Sequence, residues 1–257
     1  MKVLLIGDVI GKPGRAALKA LLPSLVSEYG ADVVLVNGEN SASGFGINEK
    51  VASEMFSQGV AAITSGNHIW DRKESIPFIA KEHRVLRPLN YPPGVPGTGS
   101  IVVTVGQEKL AVISLAGRVF MSNADCPFRA ADEEIKRLAP ITPNIVIDFH
   151  AEATSEKLAL AHYLDGRASA VLGTHTHVQT ADERVLPGGT AVITDVGMTG
   201  PIDSIIGVRK DEVIERFLTA MPQRFEVPDS PVLLCAVIVE IEAGKALSIE
   251  RIQRAYP

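Results

Sequence analysis

Two histidines separated by one residue, His175 and His177, stand directly after the apolar run at residues 169–173. On an extended backbone, side chains at i and i+2 point to the same face, so both imidazoles can reach neighbouring ligand positions. The plain alternative is a pair of solvent-exposed loop histidines. His150 ends a second run, Ile145-Val146-Ile147-Asp148-Phe149, where a lone histidine serves equally as a hydrogen-bonded core residue. Three earlier runs end in the same manner: Asp8 follows residues 3–7, Glu39-Asn40 follow 32–37, and Asn67-His68 follow 60–64. Taken singly, Asp8 reads as a turn or helix-capping aspartate, and Asn37-Gly38-Glu39-Asn40 and Gly66-Asn67-His68 read as turns. Their common position adds weight to the other reading. In open α/β sheets, ligands bind beyond the carboxyl ends of the strands, so such ends bring together side chains that are far apart in sequence. Imidazole, carboxylate and carboxamide together suit transition metals. His83 and His162 fall in helical or helix-end positions and are given no such role.

Such a site needs a scaffold, and the hydrophobic pattern provides one. Short runs rich in Val, Ile and Leu alternate with stretches of helical period, as in a sheet covered by helices. Strands are predicted at 3–7, 32–37, 60–64, 144–149 and 169–173, with helices at about 14–29, 48–58, 72–81, 130–139 and 155–164. The first strands are expected to be buried and parallel, joined by β-α-β connections. Residues 110–115 and 190–195 read as further strands, 211–220 as an amphipathic helix, and 232–240 with 246–251 as a hairpin around Ala243-Gly244-Lys245. A hairpin in each half implies mixed sheets. The Pro/Gly-rich segment 88–99 suits a surface loop better than a linker, so a single domain over 1–257 is expected. The stretches 41–46 and 198–207 are candidate rims of a cleft.

Composition narrows the partners. A net charge of −5 argues against gripping extended nucleic acid, which requires a basic surface. A small anionic substrate stays compatible, because bound cations can provide the local positive charge. The two cysteines, Cys126 and Cys235, are too few for a disulfide framework and are not spaced as a zinc knuckle. The opening apolar run is cut short by Gly7-Asp8, and the longest one, 232–239, falls far below the roughly 20 residues of a membrane span. A soluble, cytoplasmic protein without membrane contact is the expectation.

The ordered set Asp8, Glu39-Asn40, Gly66-Asn67-His68, His150 and Gly173-Thr174-His175-Thr176-His177 resembles the metal motifs of the calcineurin-like metallophosphoesterases. Two departures narrow the likeness. Ile10 stands where the usual first motif has a histidine, and Glu39 followed by Asn40 stands where the second has a bridging aspartate. With those departures the chain is similar to the YmdB-like branch of that superfamily, as is Thr194-Asp195-Val196-Gly197-Met198-Thr199-Gly200-Pro201. The resemblance implies a four-layer α/β/β/α sandwich with mixed sheets and the metal site at the carboxyl ends of strands. It implies a pair of divalent or trivalent ions, Fe or Mn ahead of Zn. Asp8, Asn40 and His177 would hold one, Asn67, His150 and His175 the other, and Glu39 would bridge.

The activity implied is hydrolysis of small phosphodiesters, cyclic nucleotides such as 2′,3′-cyclic AMP among them. A hydroxide shared by the two metals would be the nucleophile, and His68 would protonate the leaving alkoxide. A phosphomonoesterase or 5′-nucleotidase on the same centre remains open. So does a regulatory, RNA-associated binding protein with a structural metal site, although structural sites are usually closed. A homo-oligomer is compatible with the sequence.

Overall fold

A computed structural model describes residues 1–121 and 123–257. The first part runs β1 (Lys2–Ile6), β2 (Asp8–Val9), α1 (Gly11–Tyr29), β3 (Val33–Asn37), α2 (Glu49–Ser57), β4 (Val60–Thr64) and the short α3 (Ile76–Ile79). The second runs β5 (Ser100–Val105), β6 (Glu108–Ala116), α4 (Pro127–Leu138), β7 (Ile145–His150), α5 (Thr154–Tyr163), β8 (Ala170–Thr174), β9 (Arg184–Val185) and β10 (Ala191–Ile193). The chain then returns through β11 (Met198–Pro201), α6 (Lys210–Thr219), β12 (Val232–Glu242) and β13 (Lys245–Tyr256).

Two sheets result. The first is seven-stranded, in the order β2-β11-β12-β1-β3-β4 with β13 also paired to β12; the second is six-stranded, β5-β6-β7-β8-β10-β9. β1, β3 and β4 are parallel, as are β6, β7, β8 and β10, while β12 and β13 run antiparallel. Mixed sheets and parallel β-α-β units are therefore both present. The period-2 alternation of each strand separates the layers. Leu4 and Ile6 of β1 face α1 and α2, with Leu18, Leu22, Leu25, Val51 and Met55. Val3 and Leu5 face the other way and meet Leu110, Val112, Val146 and Leu172 of the second sheet. Ala111, Ile113 and Leu115 of β6 then point outward to Ile135, Leu138, Leu160 and Leu164 of α4 and α5. This is the α/β/β/α sandwich expected.

The differences have local causes. The helix expected over 72–81 shortens to a 3₁₀ turn at Lys73–Ser75 followed by Ile76–Ile79. Pro77, which has no N–H, is best accommodated in a first turn, and the α-helix begins beside it. Segment 88–99 is irregular but not wholly superficial. Asn90 is buried, and its amide donates to the carbonyls of Ala116 and Asp125. The stretch 198–207 is not all loop either, since Met198–Pro201 pairs in parallel with Asp8–Val9. In the β12–β13 hairpin, both turn residues, Ala243 and Gly244, have positive φ (48° and 84°), the signature of a type I′ turn.

Gly7 joins β1 to β2 and delivers Asp8 to the end of the sheet. A Cβ there would lie 1.9 Å from the carbonyl oxygen of Gly197, a backbone atom that cannot swing aside. Gly7→Ala is expected to cost about 1–3 kcal/mol of stability through overpacking. A thermal midpoint equal to that of the parent chain would show that the two backbones part without strain.

Candidate metal centre

The strand ends of both sheets open on one edge, and every residue singled out from the sequence lies there. Asp8 begins β2, Glu39 and Asn40 form the turn after β3, and Asn67 and His68 the turn after β4. His150 is the last residue of β7, and His175 and His177 follow β8. His83 and His162 are exposed and away from this edge.

Four donor groups crowd one point. His150 Nε2 is 2.9 Å from Glu39 Oε1, 2.9 Å from His175 Nδ1 and 3.2 Å from Asn67 Oδ1. Ligand atoms bound at about 2.0–2.2 Å to one cation lie roughly 3–3.5 Å apart, so this spacing fits a coordination sphere. Beside it, Asn40 Nδ2 is 3.1 Å from His177 Nε2, which is 4.0 Å from Asp8 Oδ1. Half a turn of the Asn40 amide presents its oxygen instead. Asp8 is fully buried, and its Oδ1 has no hydrogen-bond partner among the described residues. An orphaned buried carboxylate oxygen facing imidazole nitrogens is what a cation site leaves when only protein atoms are considered. The donor set therefore fits transition-metal binding, most compactly at Glu39, His150 and His175.

Proton positions agree. Thr174 Oγ1 donates its single proton to Asp148 Oδ1 at 2.7 Å, so it accepts from His150 Nδ1 at 2.9 Å and leaves Nε2 facing the donor cluster. His177 Nδ1 donates to the Ile206 carbonyl at 2.7 Å, again turning Nε2 inward. His175 presents Nδ1 to the cluster and sets Nε2 3.2 Å from Glu152 Oε2. Each imidazole thus has its outer nitrogen fixed by an oxygen, as metal-binding histidines do.

Electrostatics report the same crowding. Burial pushes the Asp8 carboxyl well above its ordinary range, His150 opposes this, and Glu39, Asp195 and Asp148 add to it. Burial would also raise Glu39, but the adjacent His150 imidazolium overcomes it and holds the carboxyl at about 2. Burial pulls His150 down, yet Glu39 and Asp8 raise it to about 9. His175 falls to about 3 through burial and its cationic neighbour His150. The opposed directions of these shifts reflect several ionisable groups buried within a few ångströms of one another.

Several contributors escape the sequence patterns. Asp195 Oδ2 accepts from Thr176 N at 2.9 Å, from Thr176 Oγ1 at 2.7 Å and from buried Lys157 Nζ at 2.9 Å, while Oδ1 accepts from Gly197 N at 2.8 Å. It fastens the loop on which His175 and His177 adopt positive φ, 102° and 67°. The motif around Asp195 is visible in the sequence, but its long-range partner on α5 is not. Asp71 Oδ2 lies 2.8 Å from His68 Nδ1, and the i, i+3 spacing of the pair is the available signal. Ile10, in the place of the expected histidine, is buried and packs against Gly200 and Gly207. Asn40 stands nearest His177 instead. Gly66 admits the His150 ring, since a Cβ there would lie 2.0 Å from the ring's Cδ2.

Above the donors lies a cleft of about 560 Å³, into which Glu39, Asn40, His68, His175 and His177 face. Gly44 and Phe45 of the 41–46 stretch and Ile205 and Ile206 of the 198–207 stretch line it, so both expected rims border the site. No helix among the described residues is long and apolar enough to cross a membrane.

Comparison with known proteins places this geometry in a family. Residues 4–252 match the YmdB-like protein family. The chain is 52% identical over 254 residues to the 2′,3′-cyclic-nucleotide 2′-phosphodiesterase of Bacillus subtilis (strain 168), covering 98% of this chain and 96% of that one. A crystal structure of a hypothetical protein from Thermus thermophilus superposes with a TM-score of 0.94 at 44% identity, covering 100% of both chains. A crystal structure of a phosphatase from Mycoplasma pneumoniae gives 0.93 at 35% identity, covering 99% of this chain and 93% of that one. With the match spanning nearly its full length, the chain belongs to the YmdB-like family of calcineurin-like fold.

Proposed function

We propose that this chain is a metal-dependent phosphodiesterase acting on small cyclic nucleotides such as 2′,3′-cyclic AMP, with Asp8, Asn40 and His177 holding one ion, Asn67, His150 and His175 a second, and Glu39 between them. The observation that carries it is the convergence of Glu39, Asn67 and His175 within 3.2 Å of His150 Nε2, beside the unpartnered Asp8 Oδ1. The activity named for the Bacillus relative supports the substrate class. The mixed N/O donors suit Fe, Mn or Zn, and the family resemblance favours Fe or Mn. We also assign the chain to the cytoplasm as a single functional domain. Its two cysteines are unpaired, and burial pushes the Cys235 thiol up to about 12, so neither chemistry nor position calls for an oxidising compartment.

Divalent ions bound there supply stabilisation of the phosphoryl charge and acidify water. The protein's own groups do the rest. Glu39 has two carboxylate oxygens and would be able to hold both ions. Its Oε2 also accepts from the backbone N–H of His68 at 3.4 Å, which ties the turn after β4 to the donors. The His68 ring stays outside the donor cluster and lines the cleft. Asp71 on its Nδ1 fixes the ring's orientation, so Nε2 can give a proton to the leaving ester oxygen. Phe45, edge-on at 5.2 Å between ring centroids, limits the ring's movement.

Metal-loaded protein should convert 2′,3′-cyclic AMP to a nucleoside monophosphate and leave 5′-AMP largely intact; rapid release of phosphate from 5′-AMP with an untouched cyclic diester would establish the monoesterase instead. Chelation should abolish turnover, and Mn²⁺ or Fe²⁺ should restore it. Glu39→Gln is expected to lose at least one metal equivalent by elemental analysis, and full metal content with normal turnover would remove it from the bridge. His68→Ala should lower turnover by about 10²–10⁴-fold with both metals retained. That loss should be smaller for a nitrophenyl diester, whose leaving group barely needs a proton; equal losses would make His68 a phosphate-positioning group.

A further inference from the structure

Only one side of the cleft carries the candidate ligands. The opposite side is made by the excursion between β11 and β12: Val208, then Val213 and Phe217 of α6, then Phe225. This wall is joined to the centre, because the Ile206 carbonyl that leads into it accepts from His177 Nδ1 at 2.7 Å. The segment after α6 is folded back against the site. Arg209 N donates to the Glu226 carbonyl at 2.9 Å and Glu226 N to Glu212 Oε2 at 2.7 Å. The Val227 side chain then packs onto Gly44 and Gly11. At Gly44 (φ +93°) a Cβ would come within 2.8 Å of it. Phe225 is thereby set over the cleft, with the Arg216 guanidinium 5.3 Å from its ring centroid. Phe217 is 84% exposed yet faces the same cleft.

In a 2′,3′-cyclic nucleotide both ester oxygens belong to one ribose, so with the phosphate at the ligand side the attached nucleoside is the part within reach of this wall. What it meets there is aromatic and aliphatic carbon and one guanidinium, with no carboxylate and no carboxamide among the described residues lining that side. Aromatic rings and an arginine plane favour a flat π-system with ring acceptors. We propose that Phe225, Phe217 and Arg216 form a nucleobase subsite, taking the base of a nucleoside cyclic phosphate by stacking while its phosphate occupies the ligand side; this rests on the phosphodiesterase reading above. Stacking reads the face of a base and not its edge, so the subsite accepts purines and pyrimidines alike and distinguishes nucleotides from small baseless diesters.

The test compares 2′,3′-cyclic AMP and 2′,3′-cyclic CMP with glycerol 1,2-cyclic phosphate, which has the same five-membered cyclic diester and no base. Wild type, Phe225→Leu, Phe225→Trp and Phe217→Ala would be assayed metal-loaded. Phe225→Leu should lower kcat/KM for both nucleotides by about 5- to 150-fold, the range of one lost base stack, through KM. Glycerol cyclic phosphate should be unaffected, and Phe225→Trp should keep the preference for nucleotides. Equal losses on all three substrates, or none, would overturn the subsite. If wild type turned over none of them, the phosphodiesterase reading would fail by itself. The subsite would then be decided by equilibrium binding of AMP and glycerol phosphate: an affinity advantage for AMP lost in Phe225→Leu sustains it, and one unchanged in that variant overturns it.

Discussion

The constraint on which this structure depends is electrostatic. Carboxylates and imidazoles are costly to gather where water cannot solvate them, and here they are buried. Glu39 and His175 each approach His150 to 2.9 Å, with Asp8 and Asp148 also enclosed. Flexible loops would relax such a cluster outward. The protein prevents this by growing each donor from the end of a strand whose remaining residues are locked between helices and the opposing sheet. The three hydrophobic layers are thus the clamp for the site.

The loop after β8 carries the most strained part of that arrangement. His175 and His177 both have positive φ, at a cost of about 1–3 kcal/mol each for residues with a side chain. The contacts of Asp195 with the Thr176 amide and hydroxyl, and of Met198 N with the His177 carbonyl, over-determine the loop. The buried Lys157 balances the Asp195 charge from α5. A buried ion pair is weak as a source of stability, because desolvation offsets most of its attraction. Its use here is geometric, since it fixes the direction in which two imidazoles leave the sheet.

Much of this is legible in the sequence because the scaffold is made of local patterns. Buried runs of about five residues, each followed by a side chain able to bind metal, identify both the strands and the edge they share. Weakly patterned elements escape: β2 and β9 are two residues long, and β11 contains Gly200 and Pro201, so pairing with neighbours creates them and propensity does not. The same limit applies to the site. The candidate ligands Asp8, Glu39, Asn40, Asn67, His150, His175 and His177 are picked out by type and position, and the fold brings them to one edge. Asp195, Lys157 and Thr174 act through partners 19 to 38 residues away, and no periodicity reveals those. An extended backbone would give His175 and His177 one face. The observed positive φ values bring them to the site by another route.

The site and its wall are built to different standards of rigidity. The candidate ligands sit in or just beyond the ends of buried strands, whereas α6 buries only Val213 and exposes Ile214, Phe217 and Leu218. The segment behind it is held by few contacts, chiefly those of Glu226 and Val227. An element with so little buried apolar surface belongs to the low end of local stability. Such a division suits a hydrolase, because coordination and proton transfer require fixed distances while a substrate must enter and a product leave. Placing the adaptable surface between β11 and β12 also keeps it continuous with His177, through the Ile206 carbonyl.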